Sequence, residues 1–175
     1  MKTKNPHQLK RLTVSALLAA LTCLGTLAVL NYSPAGGYIH LGDCFVLVAG
    51  FLMGPLWGGL AAGLGAALTD LILGYAAYIP ATFFIKWGVA AVAALMMRVL
   101  RNGGKFDVVK YAAAAIVGEC VMVGGYFAYE LLLYGMGGAL AGVVPNLIQA
   151  ASGIVAATLL IIPITKIKYL RNFWI

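Results

Sequence analysis

DCFVLVAGFLMGPLWGGLAAGLGAALTDLILG, residues 43–74, decides the fold of this chain. Between Asp43 and Asp70 it carries no charge, and Gly54-Pro55 divides it near the middle. Two apolar runs, 44–53 and 56–73, lie on either side of that break. If the stretch from Asp43 to Gly74 crosses a bilayer twice, each crossing averages only about 22 Å of helix at 1.5 Å per residue, less than the ~30 Å of a typical hydrocarbon core. Gly54/Gly58 and Gly59/Gly63 are GxxxG spacings, which allow helices to approach closely. They serve either packing within the chain or a dimer face.

Working outward, apolar stretches at 12–30, 81–100, 111–134 and 139–164 complete six expected spans. The expectation is an all-α integral membrane protein, a single six-transmembrane-helix bundle over 1–175. The 175 residues are 63% hydrophobic and only 10% charged, whereas soluble domains carry about 25% charge. The run at 12–30 is too long for the apolar part of a signal peptide and lacks a convincing cleavage site, so it reads as a retained first span.

The net charge of +7 raises nucleic acid as a partner, but the arrangement excludes it. Lys2, Lys4, Lys10 and Arg11 precede the first span; Arg98, Arg101, Lys105 and Lys110 lie at or between the fourth and fifth; Lys166, Lys168 and Arg171 follow the sixth. The loops at 31–42, 74–80 and 135–138 contain no Lys or Arg. With six spans, the positive-inside rule puts all three clusters and both termini in the cytoplasm. Cys23, Cys44 and Cys120 have neither metal nor redox spacing, and no metal or cofactor is expected.

Lys86 is the one basic residue outside those clusters. A lysine inside a span costs roughly 2.5–3.5 kcal/mol on insertion scales, so it needs a partner. Asp43, Asp70, Glu119 and Glu130 are the candidates, as a structural ion pair or as part of a ligand site. Tyr78, Thr82 and Lys86 recur every four residues and share a helix face. Glu119, Tyr126 and Glu130 form a stripe on the fifth span, and Asn146, Gln149 and Ser152 cover a face of the sixth. His40 and Asp43 stand at the outer mouth, where Asp43 is well placed as a helix N-cap. Most of these groups fall in the outer half, as in a pocket with apolar walls and a few polar groups. The chain has no HExxH, no GxSxG, no Cys/His nucleophile pair and no P-loop, so it is not expected to be an enzyme.

The sequence resembles the substrate-binding S component (EcfS) of energy-coupling factor (ECF) vitamin transporters. YIHLGD (38–43), GFLMGPLWGGLAAGLGAALTDLILGY (50–75), IPATFFIKW (79–87) and VPNLIQAASG (144–153) carry the resemblance over essentially the whole chain. It is nearest to the riboflavin, hydroxymethylpyrimidine and pyridoxine members. The resemblance implies a multi-pass protein of the bacterial plasma membrane that captures a water-soluble vitamin at its outer face. It also implies a transmembrane coupling subunit (EcfT) and two cytosolic ATPases (EcfA, EcfA′) as partners. Ligand contacts are expected from Lys86, Asp70, Tyr78, Thr82, Glu130, Tyr126, Asn146, Gln149, His40 and Asp43. The small-residue pairs Ser15/Ala19 and Ala16/Ala20 of the first span are the expected coupling surface, with internal packing as their other reading. A stand-alone proton- or ion-coupled transporter using Lys86 with Asp70 or Glu119 is the alternative function.

Overall fold

The computed structural model describes residues 6–32, 38–100 and 108–167. The basic residues at 2, 4, 101, 105, 168 and 171 lie outside them, as do the side chains of Tyr32 and Tyr38. Four helices dominate: α1 (Pro6–Leu27), α2 (Gly42–Leu73), α3 (Ile79–Leu100) and α4 (Val108–Ile164). Each contains a stretch long and apolar enough to cross a membrane. Where the sequence reads as an irregular first loop, two short antiparallel strands form instead. They are β1 (Val29–Tyr32) and β2 (Tyr38–His40), paired from Val29↔His40 to Tyr32↔Tyr38.

The expected six spans become four continuous helical runs, two of which reverse at a glycine. In α2 the break is at Gly54 (φ 78°), followed by Pro55; in α4 it is at Gly135 (φ 71°). Positive φ costs an L side chain but not glycine. One such residue turns the chain, so little helical structure is lost at the corner. Contacts prove the reversal. Gly58 lies against the Ala49 carbonyl, although nine residues of straight helix would separate them by about 13 Å. In α4, Gly142 presses on the Glu130 carboxyl, and a Cβ on Gly153 would stand 3.6 Å from Glu119 Oε1. We call the parts before and after each break its first and second limbs.

The glycines of α2 do their packing within the chain. Gly50 meets the Ala90 backbone, Gly59 lies under the Trp87 indole, and Gly63 faces the Phe83 carbonyl of α3. Gly65 faces the Ala19 carbonyl of α1, and Thr69 Oγ1 donates to the Cys23 carbonyl at 3.2 Å. The GxxxG residues are therefore helix–helix contacts inside the bundle. Val46, Leu47, Val89, Ala90, Ala93, Tyr111, Ala114 and Met122 form the centre of the core. Leu17, Leu24, Leu64, Phe84, Val99, Leu132 and Leu159 stand exposed outside it. So much exposed apolar surface fits a lipid environment and would aggregate in water.

The two small-residue pairs of α1 part company. Ser15 is buried and Ala19 half-buried against Gly65, whereas Ala16 and Ala20 are exposed. Ser15 is thus corrected from a coupling-surface residue to an internal one. Residues at i and i+1 on a helix diverge by about 100°, so only one pair can face outward.

Candidate ligand-binding site

Asp43, in the first turn of α2, is 0% exposed, and Lys86, in the second turn of α3, is 1% exposed. Lys86 Nζ lies 2.5 Å from Asp43 Oδ1 and 3.0 Å from the Met122 thioether of α4. Gln149 Nε2, from the second limb of α4, donates to Asp43 Oδ2 at 2.7 Å and approaches Met122 Sδ at 3.3 Å. Both oxygens of Asp43 are therefore matched, by a cation and by an amide. Complete pairing is what a buried charge requires, because desolvation otherwise exceeds the Coulombic gain.

Asp43 is not the N-cap of α2. The cap position is Leu41, with no side-chain capping bond. His40 takes that role instead: its Nδ1 accepts the Gly42 N–H at 3.0 Å. Burial lowers the His40 pKa to about 4; the neighbouring Asp43 charge opposes this and Lys86 adds to it. The imidazole therefore stays neutral at pH 7, with the lone pair that the capping bond needs.

Above Lys86 along α3, Thr82 Oγ1 accepts the Tyr126 hydroxyl at 3.1 Å. Lys86 Nζ stands 5.3 Å from the Tyr126 ring centroid, within cation–π range. Tyr78 lies one residue before α3, and its carbonyl accepts the Thr82 N–H at 2.8 Å. The helical phase thus extends back to it, and the expected Tyr78/Thr82/Lys86 face is present. Around Tyr78 gather the rings of Tyr75, Tyr126, Tyr129 and Tyr134, with centroids 5.5–6.5 Å away. Tyr129 also donates to the Ala77 carbonyl, tying α4 to the turn before α3. Aromatic walls above a polar floor suit a flat ring with a few hydrogen-bonding substituents.

The remaining expected residues lie around this centre. Glu130 is half-buried beside Gly142, one limb-turn from the tyrosines. Asp70 is buried near the end of α2, where its carbonyl accepts the Tyr75 N–H at 2.8 Å. Asn146 is half-buried one turn before Gln149. Ser152 donates to the Gln149 carbonyl at 2.8 Å, a bond within its own helix. Glu119 is 2% exposed and neither of its oxygens has a hydrogen-bond partner among the described residues. The relay of Lys86 with Glu119 is therefore not the arrangement present; Asp43 holds the lysine. Sequence reasoning missed Met122, Tyr129 and Tyr134. Met122 continues the Glu119/Tyr126 stripe at helical spacing, but a methionine there reads as core filling.

The chain matches the model of the family described as ECF-type riboflavin transporter, S component, over residues 7–166. It is 31% identical to the thiamine precursor transporter HmpT of Lactococcus lactis subsp. cremoris (strain MG1363), covering 99% of this chain and 98% of that protein. It is 33% identical over 136 residues to an uncharacterised protein of Pyrococcus woesei, covering 78% of this chain and 88% of that one. Among solved structures, the S component of a bacterial ECF transporter superposes with a TM-score of 0.67 at 19% identity, over 91% of this chain and 97% of its own. The S component for biotin from an ECF-type ABC transporter does so with 0.67 at 18% identity, over 99% and 100%. At those identities the likeness to the solved structures shows the shared fold. The family match and the four apolar helices have one reading: the chain belongs to the ECF-type riboflavin transporter S-component family, as a multi-pass plasma-membrane subunit of a transporter and not an enzyme.

Proposed function

We propose that this chain captures a flat heteroaromatic vitamin or vitamin precursor, of the hydroxymethylpyrimidine or pyridoxine class, and passes it inward. The observation that carries the reading is the likeness to a thiamine precursor transporter along the whole chain. The site supports it: tyrosine rings to stack a heterocycle, with Lys86, Asp43, Gln149 and Thr82 as donors and acceptors below. Asp70, Glu130, Asn146 and His40 complete the expected ligand environment. The family's name favours riboflavin as a second reading.

The test is thermal unfolding of the purified protein with hydroxymethylpyrimidine, pyridoxine or riboflavin, together with mass spectrometry of co-purifying small molecules. Saturable stabilisation by either of the first two supports the proposal. Stabilisation by riboflavin alone moves the chain to the second reading, and no response to any of the three overturns both.

Import is driven by partners in this proposal: a transmembrane coupling subunit and two cytosolic ATPases. The reversals at Gly54 and Gly135 favour a reading of six crossings by one unit over 1–175, and the basic clusters of the sequence favour cytoplasmic termini with the tyrosines outside. Ala16 and Ala20, exposed on α1, support a docking face for the coupling subunit. Leu at both positions should abolish uptake while ligand binding by the isolated chain stays intact. Loss of binding as well would make them packing residues.

A further inference from the structure

We propose that the groove between α1, the first limb of α2 and the end of α4 is a binding site for an anionic phospholipid. One acyl chain fills the groove, and Arg11 and Lys166 hold the phosphate at its mouth. The groove has a volume of about 440 Å³ and shares no residue with the Lys86 network. Leu17 and Leu21 of α1, Val48 and Leu52 of α2, and Leu160 and Ile164 of α4 line it from three sides. The site does not depend on which vitamin the chain captures.

Three observations define the ligand. First, the wall offers only apolar contact. Thr13 is the one polar side chain that lines it, and its Oγ1 already donates to the Leu9 carbonyl at 3.0 Å. Second, the shape suits an extended chain. On α1 the lining runs from Thr13 to Leu21, about 12 Å at 1.5 Å per residue. That is close to one leaflet's share of the hydrocarbon core, about 15 Å. Spread over that length, the volume gives a mean width of about 6–7 Å, against the 10–12 Å of a helix with its side chains. An acyl chain therefore fits where a partner helix does not. Third, one end of the groove is basic. Lys10 and Arg11 stand four and three residues before Val14, which makes them its neighbours on the helix surface. Lys166 lies between the lining residues Ile164 and Ile167, in the turn where the Ile167 N–H donates to the Ile164 carbonyl at 3.1 Å. Arg11 and Lys166 are both exposed. Neither 1–42 nor 131–175 contains an Asp or Glu, so α1 and the end of α4 bring no acid to this mouth. Basic residues beside a span attract anionic headgroups, and the orientation proposed above sets these at the cytoplasmic leaflet. A neutral lipid would match only the groove, and free phosphate only the charges.

Native mass spectrometry of the full chain in detergent, counting bound lipid, tests the site. Dioleoylphosphatidylglycerol is the probe, dioleoylphosphatidylcholine its chain-matched zwitterionic counterpart, and glycerol phosphate the headgroup without chains. One phosphatidylglycerol should bind saturably and at least tenfold more tightly than phosphatidylcholine, since each basic residue near an anionic headgroup contributes about fivefold. Glycerol phosphate at the same concentrations should neither bind nor compete. Arg11→Gln with Lys166→Gln should reduce phosphatidylglycerol to the affinity of phosphatidylcholine. Arg98→Gln with Lys110→Gln removes as much charge from the last turn of α3 and the first turn of α4, and should keep the preference. Leu17→Trp, at an exposed position of the wall, should weaken both lipids several-fold. Equal binding of the two lipids, glycerol phosphate binding as tight as the lipid, or a preference lost equally in both double variants overturns the proposal. So does undiminished binding in Leu17→Trp, or a dimer in place of lipid adducts, which would assign the groove to a second copy of the chain. Should the Arg11/Lys166 variant not fold, the lipid pair and Leu17→Trp still decide it.

Discussion

Asp43 and Glu119 flank the same backbone position, Gly153, where an added Cβ would lie 2.9 Å from Asp43 Cβ and 3.6 Å from Glu119 Oε1. Both acids are at least 98% buried in an apolar bundle. Their surroundings differ completely. Asp43 has Lys86 on one oxygen and Gln149 on the other; Glu119 has no hydrogen-bond partner on either among the described residues. The satisfied acid binds three helical runs into one unit: α2 through itself, α3 through Lys86 and α4 through Gln149. The unsatisfied one contributes no such tie among the described residues. Burial alone therefore does not make an acid structural; completed pairing does.

The largest test of that contrast is Lys86→Met. It strands the Asp43 charge and should destabilise the protein by about 3–5 kcal/mol, read by thermal unfolding in detergent. Adding Asp43→Asn should restore much of the loss. A double variant no more stable than the single one would break the comparison.

Acid should loosen the same corner through His40. Its pKa is about 4 in the folded protein and about 6.5 unfolded, so the unfolded chain binds the proton more readily. Stability is then full above pH 6.5 and falls as the pH drops towards 4, by on the order of 3 kcal/mol at 1.36 kcal/mol per pKa unit. His40→Asn should flatten that part of the Tm–pH profile. A slope unchanged by the substitution would assign the acid sensitivity elsewhere.

Gln149→Leu removes only the second bond to Asp43 and leaves Oδ2 bare, for an expected loss of about 1–3 kcal/mol. Glu119→Gln should change stability least, within about 1 kcal/mol, because it breaks no bond. If it cost as much as Gln149→Leu, Glu119 would have to be part of the structural network, and the contrast would disappear.

Much of the site was legible from residue spacing. Tyr78, Thr82 and Lys86 share a face because four residues make little more than one helical turn, and the structure keeps that face. A lysine in an oily span had to have an acidic partner, yet four acids were compatible with the pattern. The choice of Asp43 depends on how the start of α2 abuts the second turn of α3, a contact between residues 43 apart. The same holds for Gln149, 106 residues from Asp43. Tyr129 and Tyr134 were not singled out because their role depends on the turn at 74–78 folding against the end of the first limb of α4. The small-residue pairs on α1 were equivalent in sequence until Gly65 covered one of them.

What the sequence determined by itself is what local chemistry decides: an all-helical membrane protein, its breaks at Gly54 and near Gly135, and one lysine where no lysine can stand alone. Hydropathy, helical period and the cost of a buried charge operate within a segment, so they can be read along it. Which acid holds Lys86, which histidine nitrogen caps α2, and which acid stands unpaired were decided only when the helices packed. Those outcomes depend on distances across the bundle, and spacing along the chain does not encode them.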